Sequence, residues 1–389
     1  MSRESAILPD QELLARLVAF NTAAPHDNLE IAGFICDYLD RPGIRSERNP
    51  SPEGDQVNLV FSAGPEVDPE SRSGLTLCGH VDVVPADEPE WHSDPFELTE
   101  IGDTMVGRGT ADMKGFVALA INAVAEAGSR RLRHPLALVL TYDEEVGTLG
   151  ARHFVATWPP ERPLPRRMVV GEPTSLEAVR LHKGFTGLRI VVPGRSAHSG
   201  YPHLGKNAIE PAARAVTALA DLRRALESEP CPNTEHFAEV PHVAFNIGRI
   251  RGGTADNIVP DRCEIGIAFR PLPGMESRPI VERARAAVAA VLGGDHVFEA
   301  VHEAPPMLLG ADSDLYLDLC RILGQSETVS ASYATDAGWL QQGGFECLLW
   351  GPGTIEVAHR PNESMPKDEY RRAGQILGRV VEHFCGPSP

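Results

Sequence analysis

The stretch Leu75–Ala86, LTLCGHVDVVPA, places a histidine and an aspartate inside a run that is otherwise typical of a buried strand. His80 and Asp82 are two positions apart, so a strand would point both side chains to the same side. An imidazole beside a carboxylate can bind a metal or carry a proton, although a lone buried histidine is more often a hydrogen-bonded core residue. Taken alone, this pair leaves both interpretations open.

Four further segments carry residues of the same chemical types. They contain Asp112 in GRGTADMKG, Glu144 and Glu145 in TYDEEVGTLGA, Glu172 in VVGEPTS, and His359 in GTIEVAHRPNE. Each has an ordinary structural alternative, such as a helix cap for Asp112 or a solvated turn for the acidic run. Together, however, they place one candidate ligand after another at predicted strand ends and loops, where an open α/β sheet forms its binding crevice. Two histidines and several carboxylates suit zinc or cobalt, and a shared carboxylate suits a pair of ions.

The elements that must position these residues alternate between strands and helices up to about residue 182. QVNLVF, LTLCGHV, LALVLTY and RMVVGE are predicted strands, and Asp10 is a candidate cap for the helical pattern QELLARLVAF. This alternation indicates an α/β fold in which a mixed sheet is flanked by helices.

The order of elements changes over residues 183–303. Strand GLRIVVPG, helix NAIEPAARAVTALADLRRALE, strands HVAFNIGRI and CEIGIAFR, helix SRPIVERARAAVAAVL with Ser277 as a candidate cap, and strand HVFEAVH follow one another. This β-α-β-β-α-β order is ferredoxin-like. Residues 304–389 return to the α/β pattern, so we expect one domain of residues 1–182 and 304–389 with a second, 183–303, inserted into it.

Composition limits the partners. Lys and Arg number 36 against 54 Asp and Glu, and the net charge of −18 disfavours nucleic acid and anionic membrane surfaces. We therefore expect a small-molecule substrate. The longest apolar run, 116–125, is too short to span a bilayer, and the start lacks an apolar leader, which favours a cytoplasmic location. Seven cysteines without a CxxC spacing indicate reduced thiols, so any metal would need histidine and carboxylate ligands.

The motifs, taken in order, resemble a known family. GHVDVVP, GRGTADMKG, YDEEVGTLGA, GEPTS, AHSGYPHLGKNAI and AHRPNE are similar to the M20 metallohydrolases, within the branch of acetylornithine deacetylases and succinyl-diaminopimelate desuccinylases. The resemblance spans nearly the whole chain and rests on several spaced motifs, any one of which would be weak. It implies a metal-dependent hydrolase domain, an inserted dimerisation or lid domain, a homodimer, and hydrolysis of an N-acyl amino acid. N-acetylornithine is the expected substrate, which would place the enzyme in arginine biosynthesis.

The resemblance also implies roles for individual residues. Asp112 would bridge two zinc ions, for which cobalt could substitute. Glu145 and His359 would complete one metal position, and His80 and Glu172 the other.

Further expected roles surround the metals. Asp82 would orient the His80 ring and raise its basicity. Neighbouring carboxylates at a strand end point in different directions, so Glu144 can serve as general base while Glu145 binds metal. The resemblance further implies a cis peptide bond between Asp112 and Met113.

The substrate is expected to meet four other side chains. By resemblance, His198 would reach the partner subunit's active site and stabilise the oxyanion, while Asn257 and Arg270 would bind the substrate carboxylate. Asp336 in YATDAGWLQ stands where acetylornithine deacetylases have a glutamate, so it is expected either to pair with a cationic substrate side chain or to cap the following helix.

Alternatives stay open at this point. A deacetylase for N-acetylcitrulline, a succinyl-diaminopimelate desuccinylase and a dipeptidase share most of these motifs. A non-catalytic binding protein is disfavoured, because every expected ligand and Glu144 are present.

Overall fold

The computed structural model describes residues 6–68 and 73–387, which form two compact units. Unit 1 holds the described residues up to 180, residues 309–329 and those from 336 onward, and unit 2 holds residues 181–308 and 330–335. The helices are α1 (Asp10–Val18), α2 (Leu29–Tyr38), α3 (Lys114–Gly128), α4 (Leu149–Thr157), α5 (Ile209–Ser228), α6 (Ser277–Leu292), α7 (Asp314–Leu323), α8 (Ala337–Gln342) and α9 (Lys367–Cys385). The strands are β1 (Ile44–Pro50), β2 (Val57–Ala63), β3 (Leu75–His80), β4 (Thr99–Ile101), β5 (Thr104–Val106), β6 (Leu136–Thr141), β7 (Arg167–Val170), β8 (Val179–His182), β9 (Phe185–Pro193), β10 (Ala244–Gly252), β11 (Arg262–Arg270), β12 (Val297–Ala304), β13 (Met307–Leu308), β14 (Val329–Ala331), β15 (Glu346–Leu349) and β16 (Ser364–Pro366).

Unit 1 is built on a mixed sheet. Its strands run in the order β1-β2-β6-β3-β7-β15, and Val179 of β8 pairs with Leu349 of β15. The pairs β3–β6, β3–β7 and β7–β15 are parallel, whereas β1–β2 and β2–β6 are antiparallel. Because β3 and β7 are parallel neighbours, the residues that follow them emerge at the same edge of the sheet.

Apolar side chains hold this sheet between helices. Every residue of β3 and of β6 is buried, as expected for parallel strands that are covered on both faces. Helix α3 packs against both strands and against α1 and α9, and twelve of its fifteen residues are buried. A small antiparallel sheet, in the order β16-β5-β4, completes unit 1.

Unit 2 has the ferredoxin-like order. Its antiparallel sheet runs β10-β11-β9-β12, and α5 and α6 pack against each other, with α5 also contacting the sheet. The predicted fold class is therefore confirmed. Residues 330–335, which the sequence analysis left outside the inserted segment, belong to unit 2, where the Lys183 amide donates to the Ala331 carbonyl at 3.1 Å.

Two predicted helix caps are wrong. Ser277 is the first residue of α6 after Glu276, and its hydroxyl accepts a hydrogen bond from the Thr186 hydroxyl at 2.9 Å. Asp10 likewise begins α1, and its carboxylate accepts from Asn122 Nδ2 at 2.7 Å. In both cases a tertiary partner takes the side chain that local sequence assigned to the helix end.

Within the described part of the chain, no helix is long and apolar enough to cross a membrane.

Candidate metal centre

The inner group of candidate ligands consists of His80, Asp112 and Glu172. His80 ends β3, Glu172 follows the parallel neighbour β7, and Asp112 precedes α3. Their ligand atoms lie within 4.8 Å of one another, and the three residues are 1%, 5% and 4% exposed. Adjacent strands therefore bring together residues that are far apart in the chain.

The outer group consists of Asp112, Glu145 and His359, whose ligand atoms also lie within 4.8 Å of one another. His359 Nε2 is 3.0 Å from Glu145 Oε2. His359 belongs to a loop and has a positive φ of 60°, a backbone conformation that is uncommon outside glycine. Its position consequently depends on what fixes that loop.

Asp112 belongs to both groups. Its Oδ1 lies 3.2 Å from His80 Nε2, and its Oδ2 lies 3.3 Å from His359 Nε2. The alternative that Asp112 caps α3 is wrong, because Met113 occupies the cap position and the carboxylate faces the two imidazoles. The Asp112–Met113 peptide bond is cis, as the resemblance implies.

The electrostatics of the two groups fit divalent cations. Burial and the Asp112 charge raise the pKa of Glu145 to about 7 and raise that of Glu172 well above its usual range. Hydrogen bonds to Asp112 and Glu145 raise the pKa of His359 to about 10. The buried Oε1 of Glu172 lacks a hydrogen-bond partner among residues 6–68 and 73–387. Crowded carboxylates with unused lone pairs and two imidazoles match the donors of a two-metal site.

Asp82 serves two neighbours. The nearest partner of His80 Nδ1 is the backbone carbonyl of Asp82 at 3.0 Å, while the Asp82 carboxylate lies 3.5 Å from the same nitrogen. Because Nδ1 donates to this carbonyl, a neutral ring would offer the lone pair of Nε2, which lies 3.2 Å from Asp112 Oδ1, to an ion held by the inner group. Asp82 Oδ2 meanwhile accepts a hydrogen bond from the Glu145 amide at 3.0 Å.

Glu144 lies beside Glu145 in the loop between β6 and α4 and is partly exposed. Burial raises its pKa well above the usual range; His80 opposes the shift, and the charges of Glu172 and Glu145 add to it. Glu144 is therefore a carboxyl group whose protonation responds to the candidate ligands His80, Glu172 and Glu145.

Buried side chains fix the loop that carries the two adjacent glutamates. Asn58 accepts from the Tyr142 amide at 3.3 Å and donates to the Gly150 carbonyl at 3.0 Å, so it joins the two ends of the loop. Trp339 Nε1 donates to the Thr148 hydroxyl at 3.0 Å. The sequence analysis missed Asn58, which offers no signal in a strand of ordinary composition.

Asp336 is only 1% exposed. It precedes α8 without capping it, and its Oδ2 instead accepts from the Thr141 hydroxyl at 2.6 Å, so the capping alternative is wrong. Burial raises the pKa of Asp336 to about 7, partly offset by the Thr141 hydrogen bond.

The remaining expected substrate residues lie in unit 2. His198 is exposed, and its Nδ1 accepts from the Gly200 amide at 3.0 Å. The backbone carbonyl of Asn257 accepts a hydrogen bond from the Ser199 amide at 2.9 Å, which brings the segments of His198 and Asn257 together. Arg270 ends β11, and its guanidinium packs 5.1 Å from the centre of the Phe185 ring.

Two buried charged residues were also missed. Arg108 and Glu363 form an ion pair at 2.9 Å, and both side chains are 1% exposed. They lie within the motifs GRGTADMKG and AHRPNE, and this was the one sequence signal that pointed to them.

A mixed α/β sheet that carries paired His/carboxylate groups at its edge, joined to a ferredoxin-like unit, defines a metal-dependent hydrolase. The chain belongs to peptidase family M20/M25/M40, whose model matches residues 76–383. The predicted family and enzyme class are therefore confirmed.

Named relatives and solved structures agree with this membership. The chain is 34% identical over 387 residues to an acetylornithine deacetylase of Proteus mirabilis (strain HI4320), covering 96% of each chain. It is 35% identical over 390 residues to an acetylornithine deacetylase of Pasteurella multocida (strain Pm70), covering 96% of this chain and 97% of the relative. An M20 family metallo-carboxypeptidase from Sulfolobus solfataricus has a TM-score of 0.78 at 17% identity, covering 97% of this chain and 99% of that one. A dinuclear metal-binding M20 peptidase from Bacillus subtilis has a TM-score of 0.65 at 15% identity, covering 96% and 97%.

Proposed function

We propose that this chain is a dizinc amidohydrolase that converts N-acetylornithine to ornithine and acetate. The observation that carries the proposal is the Asp112 carboxylate, which turns one oxygen to His80 and the other to His359. Relatives named acetylornithine deacetylase, similar over nearly the full length of both chains, support the substrate.

The inner and outer groups would each hold one ion, with Asp112 shared between them. Zinc suits this set of two imidazoles and three carboxylates, and cobalt accepts the same ligands. A divalent ion bound there supplies Lewis acidity, which polarises the amide carbonyl and makes water a better acid.

Glu144 moves the proton in this scheme. Its carboxylate takes a proton from the attacking water as the new C–O bond forms at the acyl carbon. As the C–N bond breaks, Glu144 returns that proton to the leaving amine nitrogen. Asp82 contributes by holding the backbone of the adjacent Glu145 in place.

Unit 2 is proposed to form a homodimer and to carry three residues that meet the substrate. Arg270 and Asn257 would hold the substrate carboxylate, and His198 would act in the active site of a second copy. The edge strands β10 and β12 expose Ile250, Val297 and Val301 at 52%, 48% and 43%, which favours pairing through this unit. Mixing inactive Glu144→Gln with inactive His198→Ala should restore activity, and no recovery after verified subunit exchange would contradict a shared site.

A neutral substrate is the second candidate. Asp336, proposed to pair with a cationic substrate side chain, is buried and bonded to Thr141, which favours N-acetylcitrulline. Succinyl-diaminopimelate and dipeptides are the other family substrates to be tested.

Hydrolysis assays on the metal-analysed protein test the proposed function. Acetylornithine, acetylcitrulline, succinyl-diaminopimelate and a dipeptide would be compared by kcat/KM at equal, measured zinc content. We expect the highest value for acetylornithine, and a higher value for the desuccinylase or dipeptidase substrate would contradict the proposal.

We also propose a cytoplasmic location, which the seven unpaired cysteines favour.

A further inference from the structure

A buried carboxylate that is not itself a candidate ligand holds the loop that carries Asp112. Glu363 Oε1 accepts from the amides of Ala111 and Asp112 at 2.8 and 2.9 Å, and Oε2 accepts from the Gly109 amide at 3.1 Å. Three backbone amides within four residues of this loop thus donate to one carboxylate. Charge-assisted hydrogen bonds of this kind are stronger than neutral ones, so Glu363 defines where the Asp112 backbone lies.

Arg108 neutralises this carboxylate inside the protein. Its Nη1 donates to Glu363 Oε2 at 2.9 Å, and its Nη2 donates to the Pro85 carbonyl at 3.0 Å. The guanidinium also lies 5.1 Å from the centre of the Trp91 ring. Because both charges are buried, losing Arg108 would leave Glu363 without its charge partner, whereas losing Glu363 would leave Arg108 with the more exposed carboxylate of Glu88, 3.7 Å from its Nη2.

The same pair holds the loop that carries His359. Glu363 is four residues beyond His359, and its carbonyl accepts from the Gly107 amide at 3.0 Å. Arg108 Nη1 also donates to the backbone carbonyl of Arg360 at 3.3 Å. The backbone around His359 is therefore tied to the backbone around Asp112 at several points.

The inner group does not depend on these contacts to the same degree. His80 is the last residue of β3 and Glu172 follows β7, so the ladder between two parallel strands sets their spacing. In the outer group, by contrast, both Asp112 and His359 are supplied by segments that Glu363 and Arg108 hold. A change at Glu363 would displace two outer ligands but only one inner ligand.

We propose that Glu363 is a positioning residue that fixes Asp112 and His359 relative to each other and thereby sets the metal affinity of the outer group more than that of the inner group. The inference rests on the proposed two-metal function. Glu363 touches no ligand atom in this role and acts through the backbone of the loop and through Arg108.

Metal titration of the apo full-length chain tests this proposal. Co²⁺ is added in steps while the visible spectrum and the bound metal are measured. The binding step that His359→Ala abolishes is assigned to the outer group, and the step that Glu172→Gln abolishes is assigned to the inner group. In Glu363→Gln one acceptor becomes an NH₂ group that faces either the loop amides or Arg108. We expect about 10-fold or greater weakening of the step that His359→Ala abolishes, and a change of less than about threefold in the other step.

Three further variants separate positioning from general loss of stability. Asn28→Ala removes buried hydrogen bonds to the backbone of Val57 and should leave both binding steps unchanged. Glu363→Asp keeps the negative charge and should weaken the outer binding step less than Glu363→Gln. If the Glu363→Gln protein does not fold, Glu363→Asp is measured in its place. Arg108→Lys keeps the positive charge without the planar fork and should weaken the same step.

The outcomes are distinguishable. Equal weakening of both steps, or unchanged binding in Glu363→Gln, would overturn the positioning role. A wild-type chain that binds fewer than two Co²⁺ ions would instead contradict the two-metal function on which the inference rests.

Discussion

The carboxylate of Asp82 accepts a hydrogen bond from the backbone amide of Glu145 at 3.0 Å. Asp82 also presents its own carbonyl to His80 Nδ1, so one residue orients a ligand of the inner group and a ligand of the outer group. This contact joins the strand end after β3 to the loop after β6.

Asp82→Ala should weaken metal binding at both positions by about 10- to 100-fold, because it removes the acceptor for Glu145 and the charge near His80. Asp82→Asn keeps an oxygen that can accept a hydrogen bond from the Glu145 amide, so its metal affinity should fall less than that of Asp82→Ala. Competition with a chelator of known zinc affinity measures both variants. Wild-type affinity in Asp82→Ala would contradict this role.

Glu144→Gln should lower kcat by about 10²- to 10⁴-fold while both metals stay bound, because the amide cannot accept the proton of the attacking water. Glu145→Gln at the neighbouring position should instead lose bound metal, because Glu145 is a candidate ligand. Steady-state kinetics and metal content on the same samples separate the two. Near-native turnover in Glu144→Gln would remove this residue from the mechanism.

Asp336→Asn tests the charge near the proposed substrate site. If the Asp336 carboxylate selects a cationic substrate, KM for acetylornithine should rise while hydrolysis of an N-acetyl amino acid with a neutral side chain changes little. Thr141→Val is the matched control, because it removes the hydroxyl that bonds Asp336 and leaves the carboxylate. Equal losses on both substrates would show that Asp336 has a structural role.

The stability of unit 2 should depend on His182. This residue is fully buried, and burial together with the Arg270 charge lowers its pKa to about 4, against the effect of its hydrogen bond to the Lys183 carbonyl. Because the unfolded histidine titrates near 6.5, the unfolded chain binds more protons between these values, and stability falls as pH falls from about 6.5 to 4. The loss should approach about 3 kcal/mol at the acid end.

Urea unfolding of wild type and His182→Gln at several pH values measures this contribution. The substitution should remove that part of the pH dependence, since glutamine does not titrate. Thr335→Val, which removes the hydroxyl 3.2 Å from His182 Nε2, should lower stability at every pH and keep the slope. The same slope in His182→Gln and in wild type would contradict the assignment.

Local pattern was sufficient to predict the strands that end near His80 and Glu172 and the ferredoxin-like order of unit 2, because buried parallel strands and amphipathic helices have clear periodicities. Local pattern was insufficient where a residue distant in the chain determines which contact a side chain makes. Glu363 and the Asp112 amide are 251 positions apart, so nothing near either residue indicates their contact. Ser277 and Asp10 were assigned to helix caps for the same reason, since the residues that bond them lie elsewhere in the chain.

The metal content of wild type and Asp112→Ala tests the central claim most directly. Both proteins would be dialysed against buffered zinc, and zinc per chain counted by plasma mass spectrometry, with circular dichroism confirming that the variant is folded. A carboxylate that faces His80 with one oxygen and His359 with the other serves both positions. The account predicts two zinc ions in wild type and fewer than one in the folded variant, and full double occupancy of Asp112→Ala would contradict it.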